Sequence, residues 1–254
     1  MKNSIIKLEE ASLSFKLNKK ENLKVLDNFS IEIPEGKVLG LVGESGCGKT
    51  TFSRVLLGLN KLSDGKYVFL NKKIEKKSDF RFVRKNMQMV FQDPYLSIDP
   101  TMNMKDVLEE PMLNLRKEWD KKTREDKILR LMDLVGLDRT YLDYKSKEMS
   151  GGQRQRIGIA RALIIEPKVL ICDECVSALD VSVQAQILNL LLDIKHQLGI
   201  TIIFISHDLA VVKYIADEIA IMKSGKICEI NSSDSLFKNP QNEYTKYLID
   251  SVLV

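Results

Sequence analysis

Residues 43–51, with the sequence GESGCGKTT, constrain the fold of this chain more than any other stretch. They follow an apolar run at 37–42 and precede apolar residues that recur at helical spacing, namely Phe52, Val55, Leu56 and Leu59. This order predicts a buried strand, a glycine-rich turn and a helix. The phosphate-binding pattern G-x-x-x-x-G-K-[ST] requires that context, which disfavours a chance glycine-rich turn.

The chemistry of this loop favours a nucleoside triphosphate. Gly43, Gly46 and Gly48 can adopt positive φ, so that successive backbone N–H groups point into one concavity and hold an anion. The positive end of the following helix dipole adds to this attraction. Lys49 supplies a charge for the β- and γ-phosphates, and Thr50 a hydroxyl for Mg²⁺. The loop alone does not distinguish a kinase, a GTPase, a motor or a transporter.

Length and composition allow one large domain with an insertion or two small domains, because 254 residues with 44% hydrophobic content can build a sizeable core. The net charge of +4 describes an ordinary mixed surface. The run at 72–77, KKIEKK, is locally basic but has no interleaved aromatic residues, so we predict a solvated hairpin edge rather than a nucleic-acid site. Residues 1–10 show no secretory signal, and no segment approaches the roughly 18 apolar residues of a membrane span. Any membrane role is therefore expected to come through a partner.

The four cysteines are Cys47, Cys172, Cys175 and Cys228. Cys172 and Cys175 form a C-x-x-C pair, which in other settings indicates zinc or redox chemistry. Here no second ligand pair exists and the chain has only two histidines. We predict small buried thiols in a reducing compartment instead.

The order of elements predicts an α/β fold. The first forty residues read as antiparallel strands, and residues 105–144 become helical and charged, with Gly136 as a helix stop. Continuous apolar runs at 169–172 and 201–205 then flank a predicted amphipathic helix at 183–198. Such strands between helices indicate a mainly parallel sheet covered on both faces. One phosphate loop indicates one nucleotide domain per chain.

A triphosphate site also needs an acid for Mg²⁺ and a group that positions water. Asp173 and Glu174 follow the strand at 169–172, where ligands bind in open α/β sheets. Asp173 can hold the Mg²⁺ shell and Glu174 can orient or deprotonate water. His207 follows the next strand, and Gln92 follows another apolar run. In isolation both signals are weak, since a lone histidine after a strand is usually structural.

A second anion site is predicted at Ser150-Gly151-Gly152-Gln153, where a serine and two glycines begin a helix. One triphosphate loop and one further anion-binding helix start suggest that two chains share each nucleotide. The alternative is a capped helix without a ligand.

Taken together, these residues resemble the ATP-binding cassette (ABC) ATPases over nearly the whole chain, with all motifs in the family's order. Residues 43–50 resemble the Walker A loop, 150–153 the signature motif after Met149 in place of leucine, 169–173 Walker B, and 177–180 the D-loop. The resemblance implies a P-loop NTPase (RecA-like) core at 1–91 and 151–254, with an antiparallel β part, and an inserted helical subdomain at 92–150, all within a single domain spanning 1–254.

The resemblance also implies roles for individual residues. The implied catalytic residues are Glu174, His207 as switch histidine and the Q-loop Gln92, and the implied Mg²⁺ ligands are Thr50, Gln92 and Asp173. The implied ATP-binding residues are Phe15 as the adenine-stacking aromatic, Gly43, Glu44, Ser45, Gly46, Cys47, Gly48, Lys49, Thr50, Thr51, Ser150, Gly151, Gly152, Gln153 and Asp180.

A finer resemblance is to importers of oligopeptides, dipeptides and nickel. It is carried by residues 92–100 (QDPYLSIDP), 181–191 (VSVQAQILNLL) and 239–245 (NPQNEYT). These importers carry two different ATPase subunits, and the GGQRQR form resembles the second of them. Cys175 stands where the family commonly has proline. The chain ends soon after the Tyr244 motif, which slightly favours nickel or metal-chelate uptake.

The implied activity is ATP hydrolysis that energises import, with ATP sandwiched between two nucleotide-binding subunits. The implied partners are two integral membrane permease subunits, a second ATPase subunit expected to be a paralogue, and indirectly an extracytoplasmic binding protein, but no nucleic acid. The chain is then expected to be peripheral at the cytoplasmic face of the cell membrane. Two alternatives stay open: a soluble cassette ATPase acting on nucleic acid or the ribosome, and the ATPase subunit of an exporter.

Overall fold

A computed structural model of the chain describes residues 4–16, 22–92 and 98–251. It forms two compact units, unit 1 at 1–83 with 201–254 and unit 2 at 84–200. The sequence-based division, a single domain with a helical subdomain inserted at 92–150, has boundaries that differ from those of these two units. It stays a prediction.

The strands and helices of the described residues alternate as an α/β chain. In order they are β1 (Ser4–Lys16), β2 (Asn22–Pro34), β3 (Val38–Val42), α1 (Lys49–Leu56), β4 (Asp64–Phe69), β5 (Lys72–Lys73), α2 (Asp79–Asn86), β6 (Met87–Val90), α3 (Met104–Leu115), α4 (Lys121–Leu134), α5 (Gly151–Leu163), β7 (Val169–Asp173), α6 (Val181–Leu198), β8 (Thr201–Ser206), α7 (Leu209–Ile215), β9 (Glu218–Lys223), β10 (Lys226–Ser232), α8 (Ser233–Lys238) and α9 (Glu243–Asp250).

Unit 1 contains an antiparallel sheet and a mainly parallel one. The antiparallel sheet has the order β2-β1-β4-β5, which confirms the antiparallel strands predicted near the amino terminus. In the other sheet β3 runs parallel to β8 and to β9, and β10 pairs antiparallel with β9. Every residue of β3 and β8 is buried, as expected for strands covered on both faces. This places the residues that follow β3 and β8 at one edge of the sheet, because Val42 lies opposite Ser206.

Among the described residues, unit 2 combines the parallel pair β6 and β7 with the α-helices α3 to α6 and two short 3-10 helices, Arg139–Asp143 and Ser146–Glu148. The carboxylate and amide oxygens of Asp120 and Asn103 cap α4 and α3, each accepting a backbone N–H at 2.8 Å. Gly136 follows the end of α4 with a φ of 65°, which confirms it as the helix stop.

The helix predicted at 183–198 begins two residues earlier, at Val181. The reason is Asp180, whose side chain accepts the N–H of Val183 at 2.9 Å and so caps the helix. The helix ends at Leu198, before Gly199 with a φ of 63°. Over the described ranges, no helix is both long and apolar enough to cross a membrane.

All four cysteines carry free thiols. Cys47, Cys172 and Cys175 are buried as predicted, whereas Cys228 on β10 is only half-buried. Burial raises the pKa of the Cys47 thiol above its ordinary value, so that this residue of the loop stays neutral.

Candidate active site

The loop between β3 and α1 has the backbone that the sequence predicts at two of its glycines. Gly46 and Gly48 have φ values of 82° and 113°, in the left-handed region that favours glycine. Gly48 is the residue before the first turn of α1, and no side chain caps that end of the helix. The backbone N–H groups of the first turn can therefore donate to an anion.

Gly43 is constrained differently from the sequence-based expectation. It is not among the residues with positive φ. A Cβ atom at this position would lie 2.1 Å from the backbone oxygen of Met222 on β9 and 2.8 Å from the Cys47 Sγ. Glycine is required here because two backbones approach closely, which the motif alone does not reveal.

Lys49 is buried, with 5% of its surface exposed. Its Nζ donates to the backbone oxygens of Gly43 at 2.6 Å and Glu44 at 3.0 Å. The ammonium is thus held against the loop itself, which keeps a positive charge at the predicted phosphate-binding loop. Thr50 is exposed and Thr51 half-buried, at the start of α1. Glu44, Ser45 and Gly46 form the exposed part of the loop.

Tyr244 on α9 braces the loop, a role that the sequence does not predict. The backbone N–H of Glu44 donates to its Oη at 3.4 Å, and the Lys223 ammonium lies 4.3 Å from the ring centroid. Burial raises the pKa of Tyr244 to about 12, so the phenol stays neutral. In the sequence, the 239–245 stretch stands out only for its resemblance to importers, because no local pattern links α9 to a loop 200 positions away.

His207 is exposed and directly follows β8. The pairing of Val42 with Ser206 brings His207 and Gly43 to the same edge of the sheet in unit 1. Asp208 caps α7, accepting the N–H groups of Ala210 and Val211 at 2.9 Å and 3.2 Å. The fold therefore fixes the backbone on both sides of the histidine, as a positioned functional group requires.

Phe15 lies near the end of β1, opposite Leu23 of β2, and is 42% exposed. An aromatic residue in an early strand is more often part of the core. The structure places this one at the surface of unit 1, where its ring is accessible to a ligand. Its predicted stacking on adenine stays a prediction.

In unit 2, Asp173 and Glu174 lie where the sequence predicts them, at and just after the end of β7. Asp173 is the last residue of β7 and is buried. Glu174 has a φ of 48°, a left-handed backbone that costs a non-glycine residue roughly 1–2 kcal/mol. Its backbone oxygen accepts the N–H and the hydroxyl of Ser177 at 3.2 Å and 2.9 Å, which holds this turn. Strained backbone of this kind is concentrated at functional sites.

Gln92 is exposed and follows β6. Val90 lies opposite Cys172, so Gln92 and Asp173 leave the β6–β7 pair at the same edge. The structure thus brings together two of the three predicted Mg²⁺ ligands within unit 2, while Thr50 belongs to unit 1. Most of the QDPYLSIDP stretch, residues 93–97, lies outside the described residues.

The signature residues form a capped helix start. The N–H of Gln153 donates to the Ser150 Oγ at 3.3 Å, and the N–H of Ser150 donates to the Gln153 Oε1 at 2.8 Å. The Gln153 Nε2 donates to the Oη of Tyr141 at 2.8 Å, a contact that the sequence does not predict. Both a capped helix and an anion site at its glycines remain compatible with this arrangement.

The two signature glycines differ in their surroundings. A Cβ at Gly152 would lie 2.7 Å from the Val183 Cγ1, whereas the nearest atom at Gly151 would be the Leu179 Cδ2 at 3.7 Å. Gly152 therefore lets α5 pack against α6. Asp180, which caps α6, has its pKa lowered by the N–H of Val183 and the hydroxyl of Ser182, so it stays ionised.

Comparison with known families agrees with this geometry. A family model described as ABC transporter matches residues 26–177, a span that runs from β2 through the glycine-rich loop, the signature and Asp173. The chain belongs to the ABC transporter family. This confirms the predicted ATPase class.

Several curated ABC transporter subunits resemble the chain over most of its length. The oligopeptide transport ATP-binding protein OppF of Streptococcus mutans is 45% identical over 254 residues, covering 99% of this chain and 82% of that protein. OppF of Salmonella typhimurium is 45% identical over 234 residues, covering 91% and 70%. The dipeptide transport ATP-binding protein DppF of Lactococcus lactis is 43% identical over 252 residues, covering 98% and 81%.

Solved ABC structures confirm the predicted fold class. The ATP-binding cassette MJ0796, a dimeric post-hydrolysis state with ADP and Pi, superposes with a TM-score of 0.80 at 25% identity, covering 90% of this chain and 98% of that one. The cbiO1 protein of Clostridium perfringens, part of the ABC transporter complex cbiONQ, gives a TM-score of 0.83 at 28% identity, covering 93% and 92%.

Proposed function

We propose that this ABC ATPase energises the import of oligopeptides or dipeptides through a membrane permease. The observation that carries the proposal is the 45% identity to an oligopeptide transport ATP-binding protein across 99% of the chain. The dipeptide transport protein, 43% identical over 98% of the chain, points to the same class of cargo. These names favour peptides over nickel or a metal chelate.

ATP is proposed to bind first at the loop of unit 1. The N–H groups around Gly46 and Gly48 hold its phosphates, and the buried Lys49 ammonium supplies the opposite charge. A second ATPase subunit then contacts the same nucleotide through its own signature residues, which correspond to residues 150–153 of this chain. The dimeric state named for MJ0796 supports this sandwich. Asp180 and Phe15 are proposed as further contacts.

The proposed Mg²⁺ ligands are Thr50, Gln92 and Asp173. Their hydroxyl, amide and carboxylate oxygens are the hard donors that Mg²⁺ prefers. Asp173 is the last residue of a fully buried strand, which holds its backbone in place. When bound, Mg²⁺ neutralises phosphate charge.

Glu174 is proposed to orient and deprotonate the attacking water. The left-handed backbone and the two hydrogen bonds from Ser177 to the Glu174 backbone oxygen fix the direction in which its side chain leaves the chain. His207 is proposed to contact the terminal phosphate, and Gln92 to contact Mg²⁺ or the water. The strand pairings fix both at sheet edges, His207 with the loop and Gln92 with Asp173.

The proposed partners follow from the same function. They are two permease subunits, a second and paralogous ATPase subunit, and an extracytoplasmic binding protein that acts through the permease. The chain is then peripheral at the cytoplasmic face of the membrane. The name of the Lactococcus lactis relative, a transport ATP-binding protein, supports the permease partnership.

The test of the catalytic role is Glu174→Gln. As loss of a general base costs about 10²–10⁴-fold in rate, this variant should bind ATP but hydrolyse it at least a hundredfold more slowly. The matched control is Glu166→Gln, because Glu166 is also a glutamate of unit 2 with positive φ, at 56°, but is not a predicted site residue. Hydrolysis near the parent rate in Glu174→Gln would refute the assignment.

The test of the transport role uses the same variant as bait. Tagged Glu174→Gln is purified from detergent-solubilised native membranes with Mg²⁺ and ATP, and its companions are identified by mass spectrometry. Two multispanning proteins, a second cassette ATPase and a peptide-binding protein are expected. Co-purification of ribosomes or nucleic acid instead would contradict import and support a soluble cassette ATPase. A multispanning partner without a binding protein would support an exporter.

A further inference from the structure

The proposed function makes no use of residues 72–81, KKIEKKSDFR, in unit 1, where seven side chains are exposed, Asp79 and Phe80 are half-buried and Ile74 is buried. The segment holds five basic and two acidic residues, hence a net charge of +3, whereas the whole chain carries +4. Most of the net positive charge of the molecule therefore lies on one short stretch. We call it the 72–81 surface.

Asp79 forms hydrogen bonds and an ion pair within this surface. Its carboxylate accepts the N–H groups of Glu75 and Lys76 at 3.2 Å and 2.9 Å and pairs with the Lys72 ammonium at 2.8 Å. The Lys72 ammonium and these N–H groups lower the pKa of Asp79 to about 2. The carboxylate therefore holds the turn after β5 in shape and neutralises only Lys72.

Four other cations of the surface stay uncommitted. Lys73, Lys76, Lys77 and Arg81 are exposed, and none of them has an ion-pair partner among residues 4–16, 22–92 and 98–251. Glu75 is the one further acid of the segment. β5, which carries Lys73, pairs with β4 on one side, and no strand of the described residues pairs with its outer edge. The segment thus presents four exposed cations, on β5, on the loop after it and in the first turn of α2.

The aromatic residues of the same region, Phe80 and Phe82, are half-buried and pack on other rings. The ring of Phe80 lies 6.4 Å from that of Tyr67, and the ring of Phe82 lies 5.9 Å from that of Phe69. Phe80 also packs on Gly58, where a Cβ atom would lie 2.1 Å from its Cδ1. Single-stranded nucleic acid is bound by basic grooves with exposed aromatic rings on which bases stack. Here the rings are half-buried against other rings while the four cations are exposed, a composition that suits the phosphates of a lipid bilayer.

We propose that the 72–81 surface binds anionic phospholipid headgroups of the membrane that holds the permease. The choice of a membrane rests on the proposed transport function, whereas the affinity for anionic lipid follows from the charges alone. A basic residue near an anionic bilayer contributes about 1 kcal/mol, which is about fivefold in the partition constant. Removing four such charges should therefore reduce the partition constant by on the order of a hundredfold or more.

The experiment is co-sedimentation of the purified full chain with vesicles. One set contains phosphatidylcholine alone, and the other contains phosphatidylcholine with phosphatidylglycerol. The test variant is Lys73→Gln, Lys76→Gln, Lys77→Gln and Arg81→Gln. The matched control removes the same charge from exposed residues of unit 2, through Lys121→Gln, Lys122→Gln, Arg130→Gln and Lys168→Gln.

The parent chain and the control should bind the phosphatidylglycerol vesicles, and the test variant should lose this binding. Added salt should weaken the parent's binding, because exposed charges are screened over about 8 Å at physiological ionic strength. Equal losses in both variants would show that net charge alone acts and would overturn the proposal. Equal binding of the parent to both vesicle sets would also overturn it.

Two further measurements distinguish a lipid-binding surface from a site for free phosphate or for nucleic acid. If inorganic phosphate at low concentration displaces the parent chain from the vesicles, the surface is a site for a free anion. If the parent chain binds labelled single-stranded RNA but not the vesicles, the surface is a site for nucleic acid. Either result overturns the lipid proposal. ATP hydrolysis and thermal unfolding are measured on the same samples. A test variant that hydrolyses ATP normally but no longer binds vesicles supports the proposal, while a failure of the Glu174→Gln pull-down speaks only against the transport function.

Discussion

Replacing Gly43 by alanine tests the view that the nucleotide loop depends on close packing against β9. The new Cβ would lie 2.1 Å from the Met222 backbone oxygen, well inside van der Waals contact. That oxygen cannot move away easily, because Met222 lies opposite Ile227 and the preceding Ile221 lies opposite Val42. The clash must therefore push the loop and the strand apart.

The magnitude follows from comparison with Gly46. Overpacking a filled site costs typically about 1–3 kcal/mol and sometimes more, and contact with backbone rather than a side-chain end places Gly43→Ala at about 3 kcal/mol or above. Gly46→Ala has no atom within 4 Å of the new Cβ, and only its φ of 82° opposes the change. That strain costs roughly 1–2 kcal/mol. Both residues lie in the same loop, so the pair separates packing from backbone conformation.

The assay is urea unfolding of both variants, together with binding of a fluorescent ATP analogue. Gly43→Ala should lower the free energy of unfolding by at least about 1 kcal/mol more than Gly46→Ala does. It should also weaken nucleotide binding more, because Lys49 donates to the Gly43 oxygen. Equal or smaller losses for Gly43→Ala would refute the reasoning.

Two further predictions concern unit 2. Glu174→Gly should abolish hydrolysis. Its free energy of unfolding should nevertheless exceed that of Glu174→Ala by up to about 1 kcal/mol, because glycine accepts the φ of 48° without strain. Urea unfolding that finds the glycine variant less stable than the alanine variant would contradict this. Gly152→Ala should cost about 1–3 kcal/mol through its clash with Val183, and Val183→Ala should recover part of that loss. Gly151→Ala, whose nearest atom is 3.7 Å away, serves as its control in the same unfolding assay.

The features that the sequence predicts well are those determined by neighbouring residues. The strand, loop and helix around residues 43–51 are among them, because glycine spacing and apolar periodicity act locally. The stops at Gly136 and Gly199 are predictable for the same reason. The start of α6 is predicted two residues late, because apolar periodicity does not include the capping capacity of Asp180.

Other features arise only when distant segments meet. The close approach of Gly43 to Met222 joins residues far apart in the chain, and the contact between Glu44 and Tyr244 spans 200 positions. Periodicity and motif spacing carry no information about which strands become neighbours.

The sequence by itself determined the chemistry of the chain: a phosphate loop, a carboxylate pair after a strand, a signature helix start and a basic segment at 72–77. Only the tertiary structure decided how those groups are held. It paired Val42 with Ser206, so that the loop and His207 share an edge, and it brought the backbone of Met222 against Gly43. The physical reason is that residue type fixes what a side chain can do, whereas packing between distant segments fixes where it can do it.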